Sequence, residues 1–227
     1  EKMNLLAGST GFLGNEILKE LSSTKNKTIA ISRRNIDYLP DNAEQLIVDF
    51  NKLSELDLPK IDNLFLSLGY PLYFHNVMGV MNENLKNNLF LVDFTYQLEI
   101  AKKAKDAGAK NISIISAVGA NPHSWNYYLK TKGHVENEII NIGFDSTNIF
   151  QPGHLRGNKY RFDIFLADIA SIFLDPFLHG PLKKFRSISA KAVAKQVVNN
   201  SLNSKSGINY FDFKDFNPWR WHAKKYI

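Results

Sequence analysis

The stretch Met3-Asn4-Leu5-Leu6-Ala7-Gly8-Ser9-Thr10-Gly11-Phe12-Leu13-Gly14-Asn15-Glu16-Ile17-Leu18 limits the fold more than any other part of the chain. A short apolar run ends in a glycine-rich turn, and an amphipathic helix starts there, with Phe12, Leu13, Ile17, Leu18 and Leu21 at helical spacing. A strand, turn and helix in this order leave backbone N–H groups unpaired at the positive end of the helix dipole, where a pyrophosphate can bind. Each glycine meets a separate need: Gly8 the tight turn, Gly11 the approach of backbone to phosphate, Gly14 the packing of helix on strand. The spacing is Gly-x-x-Gly-x-x-Gly, not the commoner Gly-x-Gly-x-x-Gly. Gly8, Ser9, Thr10, Gly11, Phe12, Leu13 and Gly14 are therefore read as a dinucleotide cradle. Simple chain reversal is the other use of three glycines in such a place.

Further strands follow at Thr28-Ile29-Ala30-Ile31-Ser32, Leu46-Ile47-Val48-Asp49-Phe50, Ile61 to Gly69, Asn111 to Ser116 and Thr147-Asn148-Ile149-Phe150. Between the last three lie a helical pattern from Leu89 to Ala107, ended by Gly108, and a second helix capped by Ser124 and running to Ile142. Strands alternating with helices imply an α/β fold, a Rossmann-like doubly wound parallel sheet flanked by helices. The C-terminal region is less regular. Phe162 to Phe173 and Ala190 to Leu202 read as helices, Tyr210-Phe211-Asp212-Phe213 as a strand, and the tail with Trp219, Trp221 and Tyr226 as a final helix. The stretch Tyr70 to Asn88 has no clear period; it is either a loop with a short helix over a pocket or an insertion packed on the surface.

A chain of 227 residues suits one domain, with residues 1–157 as a cofactor-binding core and 158–227 as a C-terminal substrate and packing region. Apolar content of 44% with 12% aromatics fits a globular protein, and no run reaches the roughly 18 apolar residues of a membrane span. The chain has no cysteine and opens almost at once on its first strand, without a signal peptide, so a cytoplasmic location is expected. The net charge of +6 comes from scattered lysines, which outnumber arginines 22 to 6, so no nucleic-acid partner is expected. No metal site is expected either, since the six histidines show no ligand spacing. The aromatic C-terminal region offers a contact surface for a homodimer.

At the end of the second strand, where a carboxylate would hold the ribose 2′-hydroxyl of NAD, Arg33-Arg34 stand instead. Guanidinium forks suit a 2′-phosphate, so NADP is the expected cofactor. Asp37 nearby keeps NAD open, and a pair of solvated arginines is the plain alternative. The chemistry candidate is Tyr128-Leu129-Lys130-Thr131-Lys132: four residues apart on a helix, Tyr128 and Lys132 share a face. An ammonium near a phenol lowers the phenol pKa, so that tyrosine can exchange a proton at a carbonyl or hydroxyl while a nicotinamide moves hydride. Ser116, ending the strand just before, could hydrogen-bond the developing oxyanion. Solvated helix-face residues are the alternative for the pair. His154 and Arg156 either face the pocket or are ordinary loop residues.

The glycine turn, Arg33-Arg34, Ser116, the Tyr128/Lys132 pair and Pro152-Gly153 together resemble the short-chain dehydrogenase/reductase superfamily. More narrowly, the run from Val92-Asp93 through Glu136-Asn137-Glu138 is similar to the atypical subgroup that includes the Tat-interacting, CC3-like oxidoreductases. Ser116-Ala117-Val118-Gly119-Ala120 matches that subgroup's Ser-x-x-Gly-Ala, and Tyr128 to Glu136 its Tyr-Leu-x-x-Lys-Gly-x-Val-Glu. The resemblance implies that the glycine turn, Arg33, Arg34, Asp49, Phe50, Leu68, Gly69, Lys132 and Pro152 line the cofactor. It puts Ser116, Tyr128 and Lys132 in the catalytic positions. Two departures stand out: the superfamily's second serine is Ala117, and no residue is assigned as its additional active-site asparagine.

These readings lead to an NAD(P)-dependent oxidoreductase acting on a small carbonyl or alcohol. A non-catalytic NADP-binding regulator working through a protein partner is the rival, because a fold can keep its cradle while its chemistry lapses. A nucleotide-sugar epimerase or dehydratase ranks third, since the C-terminal region is short.

Overall fold

A computed structural model describes residues 2–157 and 175–216; the helix expected over Phe162 to Phe173 and the aromatic tail lie outside the described residues. Seven parallel strands form one sheet: β1 (Met3–Ala7), β2 (Lys27–Ser32), β3 (Ala43–Ile47), β4 (Asn63–Leu66), β5 (Asn111–Ile115), β6 (Ser146–Phe150) and, from the C-terminal region, Gly207–Phe211. A small parallel pair, β7 (Leu155–Arg156) with β8 (Ile188–Ser189), makes Gly207–Phe211 the ninth strand in chain order, β9. The order is β3-β2-β1-β4-β5-β6-β9, so the direction of winding reverses between β1 and β4. In open α/β sheets the crevice beyond the carboxyl ends of the strands at such a reversal is where ligands bind.

Alternate residues of the strands feed two cores, one on each face. Leu5, Ala7, Leu64, Leu66, Ile112 and Ile114 pack on one side with Tyr96, Ile100 and Ala104 of α4 (Tyr96–Asp106) and Val135 and Ile139 of α5 (Tyr127–Ile142). Leu6, Ala30, Phe65 and Phe150 pack on the other with Leu13, Ile17 and Leu21 of α1 (Phe12–Ser22) and Val193 and Val197 of α6 (Ala190–Leu202). Ile17 and Leu21 are fully buried, and each such side chain stabilises the fold by about 1.5–3 kcal/mol through the area it removes from water. Burial on both faces explains why these strands read as apolar runs rather than alternations.

The third strand ends at Ile47, short of the expected Phe50, which instead opens a 3-10 helix over Phe50–Glu55 capped by Asp49. Asn126, not Ser124, caps α5: its Oδ1 accepts the Leu129 N–H, while Ser124 Oγ accepts the Asn126 N–H. The strand expected at Tyr210 to Phe213 lies earlier, and Phe213 starts a short helix, α7 (Phe213–Phe216).

At the amino ends of the strands, four in-register side chains form a polar ladder across β2, β1, β4 and β5. Asn4 Nδ2 donates to Thr28 Oγ1 at 3.4 Å, Asn63 Nδ2 to Asn4 Oδ1 at 2.9 Å, and Asn111 Nδ2 to Asn63 Oδ1 at 3.0 Å. Each rung joins residues directly paired in the sheet.

Candidate active site

The glycine turn stands at the carboxyl end of β1, above the point where the sheet reverses. Gly8 has φ +95°, and a Cβ there would lie 2.4 Å from the Ser67 carbonyl oxygen, so the segment just after β4 passes too close for any side chain. A Cβ on Gly14 would lie 2.0 Å from the Gly8 carbonyl oxygen, so the first helical turn rests directly on the loop. Gly11 is the N-cap of α1 and offers no side chain to the first turn. Ser9 is buried, and its Oγ has no hydrogen-bond partner. A buried hydroxyl without a partner costs free energy until an acceptor or donor reaches it. The residues of this turn fit a pyrophosphate: close backbone, a helix N-terminus and an unengaged hydroxyl.

Arg33 and Arg34 follow β2 and are exposed. Their turn is fixed from below, since Ser32 Oγ and Gln45 Nε2 both donate to the Arg34 carbonyl, each at 2.8 Å. Arg33 reaches over the Phe50 ring, 5.9 Å from its centroid. That ring is itself buried, edge-on to Tyr96 at 5.5 Å, so Phe50 serves the core. Asp49 is exposed and accepts the Asn51 N–H that starts the 3-10 turn.

Gly11, Phe12, Leu13, Leu68 and Gly69 form one wall of a cleft of 650 Å³, and Ser116, Tyr128, Lys132, Pro152 and His154 form another. Arg33, Arg34, Asp49 and Phe50 are not on its walls. Tyr70, Leu72, Val77 and Met78 also line it, and the 70–88 stretch contains a short helix, α2 (Phe74–Val77). Of the two readings of that stretch, the loop with a helix over the pocket is the one found. Asn126 ties it down, donating from Nδ2 to the Val77 carbonyl at 2.6 Å. Gly133 lets the Asn121-Pro122 loop lie on α5, since a Cβ would meet it at 2.3 Å.

Lys132 Nζ stands 5.9 Å from the centre of the Tyr128 ring, on the shared helix face. Its ion pair, however, is with Asp93, whose Oδ1 lies 2.7 Å away; the two side chains are 4% and 1% exposed. Burial works against the lysine charge, but Asp93, then Tyr128 and Glu136, outweigh it and hold the ammonium protonated beyond the usual lysine range. The expected lowering of the Tyr128 pKa does not occur. Burial pushes this phenol above its usual range; Lys132 opposes the shift and Asp93 adds to it. Ser116 Oγ donates to the carboxylate of Glu136, which also accepts from Gln151 Nε2 at 3.0 Å.

Asp93, Glu136 and Asn126 were not singled out for roles by sequence. Asp93 and Glu136 lie inside the motifs that carry the superfamily resemblance, which was the one signal for them. Among the described residues no group of three His, Asp or Glu could hold a metal ion, and no helix is long and apolar enough to cross a membrane.

No family model matches the chain. Protein FMP52, mitochondrial, of Lodderomyces elongisporus is 32% identical over 160 residues, spanning 68% of this chain and 67% of the relative. FMP52-1, mitochondrial, of Scheffersomyces stipitis is 31% identical over 203 residues, 87% of each chain. Among solved structures, MoeE5 in complex with UDP-glucose and NAD superposes with a TM-score of 0.68 at 14% identity, over 99% of this chain and 82% of that one. Ligand-free aldohexose dehydrogenase from Thermoplasma acidophilum gives 0.67 at 16% identity, over 92% of each chain. These structures share the fold of the short-chain dehydrogenases. The names of the relatives overturn the cytoplasmic expectation, since they carry a mitochondrial assignment.

Proposed function

As this chain belongs to the family of FMP52 proteins, we propose that it is a mitochondrial NADP-dependent oxidoreductase that reduces a small carbonyl, or oxidises the matching alcohol. The observation that carries this reading is that Tyr128 and Lys132 share one 650 Å³ cleft with the glycine turn of α1. Solved proteins of the same fold support a nicotinamide cofactor: MoeE5 was seen with NAD, and the Thermoplasma protein is a dehydrogenase.

A bound nicotinamide would supply the hydride that goes to the carbonyl carbon. Tyr128 gives its phenolic proton to the carbonyl oxygen, so the two together convert carbonyl to alcohol. Lys132 holds its place beside the phenol, and the phenolate left after each turnover takes its proton back from solvent water. The Gly8–Gly14 turn takes the pyrophosphate through backbone N–H groups and Ser9 Oγ, and Arg33 and Arg34 take the 2′-phosphate. Ser116 holds the substrate oxygen, which requires its hydroxyl to turn from Glu136. The finer kinship with the Tat-interacting subgroup rests on the motifs around Ser116 and Tyr128.

One observation favours a second reading, a cofactor-binding regulator without turnover: the Ser116 hydroxyl is engaged by Glu136 and its neighbour is Ala117. Small aldehydes and ketones, incubated with NADPH and followed by its oxidation, distinguish the two. Turnover that is lost in Tyr128→Phe supports the enzyme. Tight NADPH binding by the folded protein with no turnover of any carbonyl supports the regulator.

A further inference from the structure

The helix that runs behind the cleft changes pitch beside Lys132. It is α-helical over α3 (Glu83–Phe90), π-helical over Leu91–Thr95, and α-helical again through α4. A π turn carries one residue more than an α turn and redirects the side chains on it; single π turns recur at functional sites. Here the one buried side chain of the turn is Asp93. Its Oδ2 accepts the Tyr70 N–H at 2.7 Å, while Oδ1 faces Lys132. The turn's own backbone is provided for as well, since Gln97 Nε2 donates to the Asp93 carbonyl at 3.0 Å and to the Leu68 carbonyl at 3.3 Å. Three separate segments, the loop after β4, the π turn and α5, thus meet at one carboxylate.

We propose that Asp93 is the positioning residue of this site: aimed inward by the π turn, it fixes Lys132 beside Tyr128 and balances its charge, so that Tyr128 serves as an acid. The inference rests on reading Tyr128 and Lys132 as the proton-transfer pair. The titratable groups that act on this pair are Asp93 from the π turn and Glu136 from α5 itself; Tyr70 from the loop after β4 and His154 from the loop after β6 line the same cleft. Among the described residues, Lys132 and Asp93 are the charged side chains on the cleft wall. Without Asp93, Tyr128 loses a negative charge that favours its protonated form, while Lys132, as long as it stays an ammonium, goes on favouring the phenolate. A lysine paired with Asp93 presents a dipole instead, and the phenol keeps its proton. Burial is the main cause of the raised Tyr128 pKa; Lys132 opposes it and Asp93 adds to it. A phenol that stays protonated suits reduction, in which the site must give a proton to the substrate oxygen.

Carbon-13 labelling of tyrosine at Cζ gives a direct readout that needs neither cofactor nor substrate. The Tyr128 resonance is identified by its loss in Tyr128→Phe and titrated from neutral pH upward, in the wild type and in Asp93→Asn. Asparagine keeps the shape and can still accept from Tyr70, so the π turn is preserved while the charge is removed. The expected result is a fall of at least tenfold in the phenol's proton affinity, about one pH unit, in Asp93→Asn. Asp93→Ser, which removes the carboxylate with less bulk, provides the same reading if the asparagine variant does not fold. A Tyr128 resonance that moves at the wild-type pH in these variants, or in neither protein, overturns the proposal. Failure of the enzyme reading looks different: turnover that survives Tyr128→Phe, whatever the titration shows.

Discussion

The hydroxyl of Ser116 donates to the carboxylate of Glu136, one helical turn beyond Lys132 on the same face of α5. A residue proposed to meet the substrate is thereby tied to a buried carboxylate, which Gln151 holds from the other side. Burial pushes Glu136 above its ordinary 4.5, while the bonds from Ser116 and Gln151 and the charge of Lys132 pull it back only in part.

Glu136 therefore makes folding sensitive to pH. A carboxyl whose folded pKa lies above its unfolded one binds its proton more tightly when folded, so its contribution falls as pH rises from the ordinary value through the raised one. Glu136→Gln keeps an acceptor for Ser116 and Gln151 and has no proton to lose. Urea midpoints measured across the weakly acidic range should decline with pH in the wild type more than in Glu136→Gln. Parallel curves would show that the carboxylate does not titrate in that window.

Tyr128→Phe should lower the rate of carbonyl reduction about 10²–10⁴-fold, the usual range for a lost general acid, while calorimetry finds NADPH affinity changed little. Because the phenol is held above its usual range, the wild-type reduction rate should stay level through neutral pH. It should fall only where Tyr128 loses its proton, at strongly alkaline pH. A rate that falls near neutrality would assign the proton to another group.

Gly14→Ala should be severe, because the added carbon would sit 2.0 Å from the Gly8 carbonyl oxygen and neither backbone can yield without opening the turn. A loss of about 2–3 kcal/mol in urea unfolding is expected, with NADPH binding abolished. Gly143→Ala is the control: its φ of +74° strains a side chain, but nothing lies within 4 Å. That change should cost only about 1–2 kcal/mol and leave binding intact.

Replacing both Arg33 and Arg34 by alanine should weaken NADPH binding by tenfold or more and NADH binding by less than threefold, about 1.4 against 0.6 kcal/mol. Calorimetric titration with the two cofactors measures both. Equal weakening would remove the 2′-phosphate assignment, and the exposed arginines would then be surface charge.

The glycine turn and five of the first six strands were legible: Gly14 is dictated by a contact within its own loop, and those strands by burial on both faces, whereas the edge strand β3 lies three residues earlier than expected. The seventh was expected three residues late, at Tyr210 to Phe213, since β9 is an edge strand with Ile208 and Tyr210 half exposed and its pattern is diluted. Tyr128, Lys132 and Ser116 were legible by spacing and do line one cleft. What escaped was the company they keep. Asp93 lies next to Val92 in an apolar pattern that reads as continuous helix, and one inserted residue in a π turn leaves that pattern nearly unchanged. The pairing of Tyr128 with Lys132 on one helix is visible in sequence, whereas the carboxylate that competes for the lysine comes from another element. Ser124 and Asn126 are both good caps two residues apart, and only the backbone geometry chooses between them.

A parallel sheet buried on both faces has no inside and outside to tell one strand how far to slide along the next. The asparagine ladder at the amino ends supplies that information. If β4 slipped by one residue against β1, Asn4 and Asn63 would lose each other inside an apolar layer, and each orphaned amide would cost about 1–3 kcal/mol. Mispaired sheets are thus penalised at the end of the molecule farthest from the cleft. The cleft end can then carry a cramped glycine turn, an orphaned Ser9 hydroxyl and a buried ion pair without being asked to align the strands as well.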